Sequence, residues 1–265
     1  MMMPLFKREM RTCLVPTAGI VAVLALYTGL VASMFDPDLG ESLMRMRDAM
    51  SELFDAFGMG EQGTTLLEFL VNYLYGFLFS AFPLALVALL SDRLMVRHVE
   101  RGTLACLLAQ PVGRVRLAAA QFLVMAACLV GSMALLTALE MAVAESMFPG
   151  ELAWGDLLAV NAATLCLWTF FAGICWASAC AIPSVAAARW TGVGVGVACL
   201  LAQMVSGVGE ELAWLGDITP LALFDPLGVA ACSTGAVFGA IVLASAGLAL
   251  AALGVLAFSR RDLSI

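Results

Sequence analysis

The sequence predicts an all-α membrane protein of six transmembrane helices, and three observations carry that prediction. First, 63% of the 265 residues are hydrophobic and only 12% are charged, about half the charged share of an ordinary soluble domain. With a mean hydropathy of +1.00, the chain holds more apolar surface than a core of this size can hide from water, so lipid is its solvent. Second, the apolar residues gather into six runs at roughly 15–34, 65–90, 117–146, 154–182, 190–208 and 236–258. Each is near the ~20 residues that cross a bilayer as a helix. Third, none of these runs alternates as a barrel strand does, and a helix satisfies its own backbone groups in lipid.

The first run follows Lys7, Arg8 and Arg11. It is longer than the 7–15 apolar residues of a secretory signal, so an uncleaved first span is expected. Residues 35–64 then form an acidic segment with Asp36, Asp38, Glu41, Asp48, Glu52, Asp55 and Glu61. Within it, ESLMRMRDAMSELFDAF spaces Leu43, Met46, Met50, Leu53, Phe54 and Phe57 as one face of an amphipathic helix. Pro83 lies inside the second run, where a missing backbone donor predicts a kink. The segment 91–116 is basic. Its Leu104, Leu107 and Leu108 share one face of a short helix expected over 99–109, and its arginines suit anionic headgroups or an acidic partner. The segment 209–235, with two prolines, is expected at or partly within the opposite interface.

Six spans place both termini on one side. On that side fall Lys7, Arg8, Arg11, Arg93, Arg97, Arg101, Arg114, Arg116, Arg189, Arg260 and Arg261, eleven of the thirteen lysines and arginines. The positive-inside rule therefore puts the termini and segment 91–116 in the cytoplasm. Residues 1–265 are expected to form a single membrane domain with no second, soluble one.

Composition also excludes. Lys7 is the only lysine and no glycine-rich loop precedes it, so the chain has no P-loop for nucleotide phosphates. The eight cysteines form no CxxC pair, and His98 is the only histidine, which argues for buried thiols and no metal site. Nothing points to a nucleic-acid partner.

Polar residues inside apolar runs are the candidates for function, because a carboxylate in a span costs a few kcal/mol unless it faces protein or water. Glu68 and Asn72 stand one turn apart in the second run. Glu140 and Glu145 lie late in the third, and Asn161 lies early in the fourth. They are expected either to line the outer mouth of a pathway, with Glu140 the deepest, or to reach for the interface. Gly192-x-x-x-Gly196 and Gly235-x-x-x-Gly239 mark places for close helix packing, within the chain or between two copies.

The ordered pattern in segment 91–116 is Glu100, Gly102-Thr103-Leu104, Leu107-Leu108, Pro111-Val112 and Arg114. It resembles the permease subunits of ABC transporters of the type-2, exporter-like class. LFKREMR (5–11) is similar to their amphipathic helix before the first span, here residues 1–14. ITPLALFDPLG and FSRRDLSI are similar to their last outer segment and C-terminus. Gln121 departs from the pattern, since many relatives carry lysine there. The resemblance implies a permease without its own ATPase site and with no cofactor of its own. ATP and magnesium would be bound by a cytoplasmic ABC ATP-binding subunit. It also implies a second permease copy or a sibling permease, with the first and fifth spans and hence Gly192 and Gly196 near the two-fold axis. The fold implied is six transmembrane helices with a cytoplasmic coupling helix between spans two and three. Arg97, Glu100, Arg101, Gly102, Thr103 and Leu104 would form the coupling interface, with Glu100 and Arg101 touching the ATPase. Read without the resemblance, the same residues also admit a proton-coupled transporter using Glu68 or Glu140, or a membrane anchor with no transport role.

Overall fold

The computed structural model describes residues 2–35, 65–102, 113–207 and 212–261. These form helices, with no strand among the described residues. Helix α1 covers Met2–Met34. Helix α2, Leu66–Leu70, runs into a π-helical turn at Val71–Tyr75. Helix α3 starts at Leu78, passes through a second π-helical turn at Asp92–Val96, and ends at Glu100. Then come α4 (Arg114–Met147), α5 (Trp154–Ala181), α6 (Val185–Ser206) and the short α7 (Ala213–Ile218). A 3-10 turn at Pro220–Leu223, the short α8 (Pro226–Ala230) and α9 (Thr234–Arg260) complete the chain. Six of these helices are long and apolar enough to cross a membrane: α1, α3, α4, α5, α6 and α9.

Two boundaries differ from the expectation. The N-terminal helix and first span are one uninterrupted rod, because Pro16 sits inside α1 without ending it. The segment expected as a loop from residue 91 continues the α3 helix for ten residues, and Gly102, at φ +67°, ends it in the left-handed conformation that glycine adopts freely. Charged residues mark where lipid ends, but they do not stop a helix. The amphipathic helix expected within 35–64, and Thr103, Leu104 and the rest of the helix expected over 99–109, lie outside the described residues.

Helix α5 is central, packed by α9, α6, α3 and α4. Its Trp168, Phe171 and Trp176 are fully buried. The tightest seam joins α5 to α9. A methyl group at Gly173 would strike the backbone of Gly247, and one at Gly247 would strike the backbone of Thr169 and Phe170. Backbones come this close because no side chain stands between them, the packing mode available to helices in lipid.

Both prolines inside spans follow one rule. A proline removes the bond to the carbonyl four residues before it. Pro16 thus frees the carbonyl of Thr12, and the guanidinium of Arg93 donates to it at 2.9 Å. Pro83 frees the carbonyl of Phe79, and the indole N–H of Trp168 donates to it at 2.7 Å. Where no water reaches, a freed acceptor needs a donor from a neighbouring helix, and Trp168 supplies it for Phe79; Arg93 supplies it for Thr12 at the exposed end.

Candidate functional site

Two polar clusters interrupt the apolar bundle, one at each end of the α2–α3 segment. At the arginine-rich end, Asp92 opens the π-helical turn of α3. Side chains five residues apart stand about 140° apart around an α-helix, but the wider π turn, bonded i→i+5, brings them nearer to one face. Arg97 consequently donates Nε–H to Asp92 Oδ2 at 2.8 Å. The other oxygen, Oδ1, accepts from Arg189 Nε at 2.8 Å, and Arg189 Nη2 reaches Glu100 Oε2 at 3.1 Å. Arg189 belongs to the first turns of α6, so this cluster ties the end of α3 to the start of α6. Asp92 is its inner member, with a side chain 12% exposed, whereas Arg189 is 37% and Glu100 49% exposed. Nearby, His98 Nε2 lies 3.7 Å from Glu9 Oε1 of α1, and Arg93 holds Thr12 as described. The last turns of α3 are therefore linked to both α1 and α6. Arg261 donates to the carbonyls of Cys180 in the last turn of α5 and Pro183 just past it, and its own carbonyl accepts from Arg114.

Toward the acidic end, Tyr75 closes the first π-helical turn and meets Glu140 of α4 and Asn161 of α5. Its hydroxyl lies 2.7 Å from Asn161 Oδ1 and 3.1 Å from each oxygen of Glu140. Asn161 Nδ2 donates to Glu140 Oε2 at 2.8 Å. Exposure is 0% for Tyr75, 1% for Glu140 and 2% for Asn161. Phe79 stacks on the Tyr75 ring with centroids 4.6 Å apart. Three helices are joined here by one closed polar triangle.

The family model described as "ABC-2 family transporter protein" matches residues 3–263. The chain belongs to this family. It is a multi-pass membrane permease of an ABC transporter. No curated protein and no solved structure matches it.

Within this ABC-2 permease, the residues singled out by sequence fall in different places. Arg97 and Glu100 enter the Asp92 cluster, while Arg101 and Gly102 are exposed at the end of α3. Glu100 holds an arginine of its own chain, an engagement the coupling pattern does not anticipate. Glu140 lies in the packed interior, bonded to Tyr75 and to Asn161 of α5. Glu68 caps its own helix. Its carboxylate accepts from the Thr65 backbone N–H at 3.1 Å, and the Thr65 hydroxyl accepts from the Glu68 N–H, a capping box. Asn72 is buried in the first π turn, and Glu145 is exposed. Gly192 packs on Cys175 and Ser178 of α5, and Gly196 packs on Leu84 of α3. Both glycines thus serve contacts within the chain. Among the described residues, no three His, Cys, Asp or Glu side chains converge as a metal site.

Four participants carried no sequence signal that singled them out: Tyr75, Asp92, Arg189 and Glu9. Asp92 and Glu9 stand among basic residues, where an acid has an obvious counter-charge. That local contrast is the signal that could have found these two.

Proposed function

We propose that this permease couples ATP hydrolysis by a separate cytoplasmic ABC ATP-binding subunit to the export of a substrate. It works in the plasma membrane with both termini in the cytoplasm, paired with a second copy or a sibling permease, and ATP and magnesium are held by the partner subunit. The observation that supports this reading is the Asp92 cluster. Glu100 and Arg97 stand where a cytoplasmic partner can press, half-exposed, and both are tied through Asp92 and Arg189 to α6. A displacement of the α3 end is thereby handed to α6 through Arg189 and to α1 through Arg93 and His98. The partner biases the bundle because it binds ATP and ADP in different arrangements.

The test is affinity purification from native membranes in mild detergent, followed by mass spectrometry. Wild type is expected to bring down an ATP-binding subunit, and Glu100→Arg is expected to lose it. If no ATP-binding subunit accompanies wild type in several detergents, and flux in vesicles follows a proton gradient, the chain is a secondary transporter using Glu68 or Glu140. Absence of flux with either energy source would leave a membrane anchor.

A further inference from the structure

We propose that Tyr75, Glu140 and Asn161 form a proton-binding site inside the bundle, and that it is loaded in the arrangement seen here. The proposal rests on counting hydrogens and does not depend on the ATP-driven reading.

The triangle has three sides: Tyr75 to Glu140, Asn161 to Glu140, and Tyr75 to Asn161. Each side needs one hydrogen between two heavy atoms. A tyrosine hydroxyl has one hydrogen to give, and the amide of Asn161 directs one to Glu140 Oε2. An ionised carboxylate gives none. With Glu140 ionised, two hydrogens must serve three sides. If Tyr75 then donates to Glu140, its oxygen faces Asn161 Oδ1 at 2.7 Å with nothing between them. If it donates to Asn161 instead, its oxygen faces Glu140 at 3.1 Å.

A proton on Glu140 Oε1 completes the count. Glu140 donates to the Tyr75 oxygen, Tyr75 donates to Asn161 Oδ1, and Asn161 donates to Glu140 Oε2, so every member gives once and accepts once. The oxygen and nitrogen of an asparagine amide are assigned from such networks. Exchanging them for Asn161 reverses the direction of donation around the ring and leaves the count unchanged. Either way the ring closes only with the extra proton.

The surroundings agree. The described cations lie on α1 up to Arg11, on α3 from Arg93, at the start of α4 and α6, and at the end of α9, all toward the arginine-rich end. None of the described salt bridges reaches Glu140. On the elements packed around the triangle, the nearest described charges along the chain are acidic: Glu68 on α2, Glu145 on α4, Asp156 on α5 and Asp225 at the start of α8. Residues 12–34 of α1 and 234–259 of α9 carry no charge. A neutral acid suits this environment, whereas a buried charge without a counter-charge does not. Parting the Tyr75 turn from α4 and α5 takes away the acceptor of the Glu140 proton and admits water, while Asn161 stays beside the carboxyl, so the site gives up its proton when the bundle opens there and regains it on closing.

Infrared spectroscopy of the purified full chain in lipid nanodiscs at neutral pH tests this. The wild type is expected to show a carboxylic-acid C=O band, since solvent-exposed acids are ionised there, and Glu140→Gln is expected to lose it. Glutamine copies a neutral acid in shape and hydrogen bonding, so this variant should fold. Tyr75→Phe keeps the acid and removes the acceptor of its proton, so its band is expected to persist and to move to the position of a weakly hydrogen-bonded acid. A wild type without the band overturns the proposal. So does a band that survives Glu140→Gln, or one that Tyr75→Phe leaves unmoved. Failure to co-purify an ATP-binding subunit bears on the proposed function alone and leaves these readings intact.

Discussion

The two polar clusters join the same α2–α3 segment to its neighbours, yet they are built from different chemistry. The Asp92 cluster uses full charges, three ion pairs among four half-exposed or partly buried side chains. The Tyr75 triangle uses short hydrogen bonds among groups with at most 2% exposure. The contrast follows solvent. At the water edge, charges keep much of their hydration and pair weakly and reversibly. In the interior, hydration is gone, and an incompletely matched polar group costs its full desolvation. Each cluster sits at a π-helical turn, where a wide turn changes which residues share a face. The Asp92 pairs can be parted and remade at little cost, whereas the triangle comes apart only where water replaces the bonds it loses.

The sharpest break in that comparison is Glu140→Ala. It strands two buried polar groups and opens a cavity, and a loss of roughly 2–4 kcal/mol is expected in thermal unfolding of the detergent-solubilised protein. Glu140→Gln should stay within about 1 kcal/mol of wild type. Equal losses for the two variants would show that packing matters there and the ring does not. Next comes Trp168→Phe, which keeps the ring packing but leaves the Phe79 carbonyl unmatched; about 1–3 kcal/mol is expected. Least damaging to stability is Arg189→Ala, at about 1 kcal/mol or less. Its cost should shrink further as salt rises, because screening weakens exposed pairs most, while the triangle variants should ignore salt. If the proposed coupling holds, Arg189→Ala loses substrate-stimulated ATP turnover in vesicles out of proportion to its small effect on unfolding. Unchanged turnover would detach the Asp92 cluster from transport.

The spans were legible because hydropathy and arginine placement are properties of whole runs, robust to the detail of any one residue. Helix ends were less so. Asp92, Arg93 and Arg97 mark the end of the apolar run in the sequence, yet the backbone stays helical to Glu100. Glu140 and Asn161 stood out as isolated polar groups in apolar runs, and the structure brings them together with Tyr75. The tyrosine was missed because it hides one polar atom on an apolar body. The glycine pair in α6 was legible as a place of close approach, but a spacing names no neighbour, and the neighbours proved to be α5 and α3. The tighter α5–α9 seam was missed because Gly247 and Gly254 stand seven residues apart, outside the four-residue pattern.

The two span prolines carry a meaning beyond bending. Each publishes an acceptor at a known address, four residues upstream, and only one donor on a facing helix can read it when the two are turned and slid to match. Arg93 and Trp168 are those readers. A featureless apolar helix can rotate against its neighbour at little penalty, but one carrying such an address has a single preferred setting. Two prolines, usually counted as weaknesses in a helix, thus work here as assembly marks. They favour particular helix neighbours at a particular rotation.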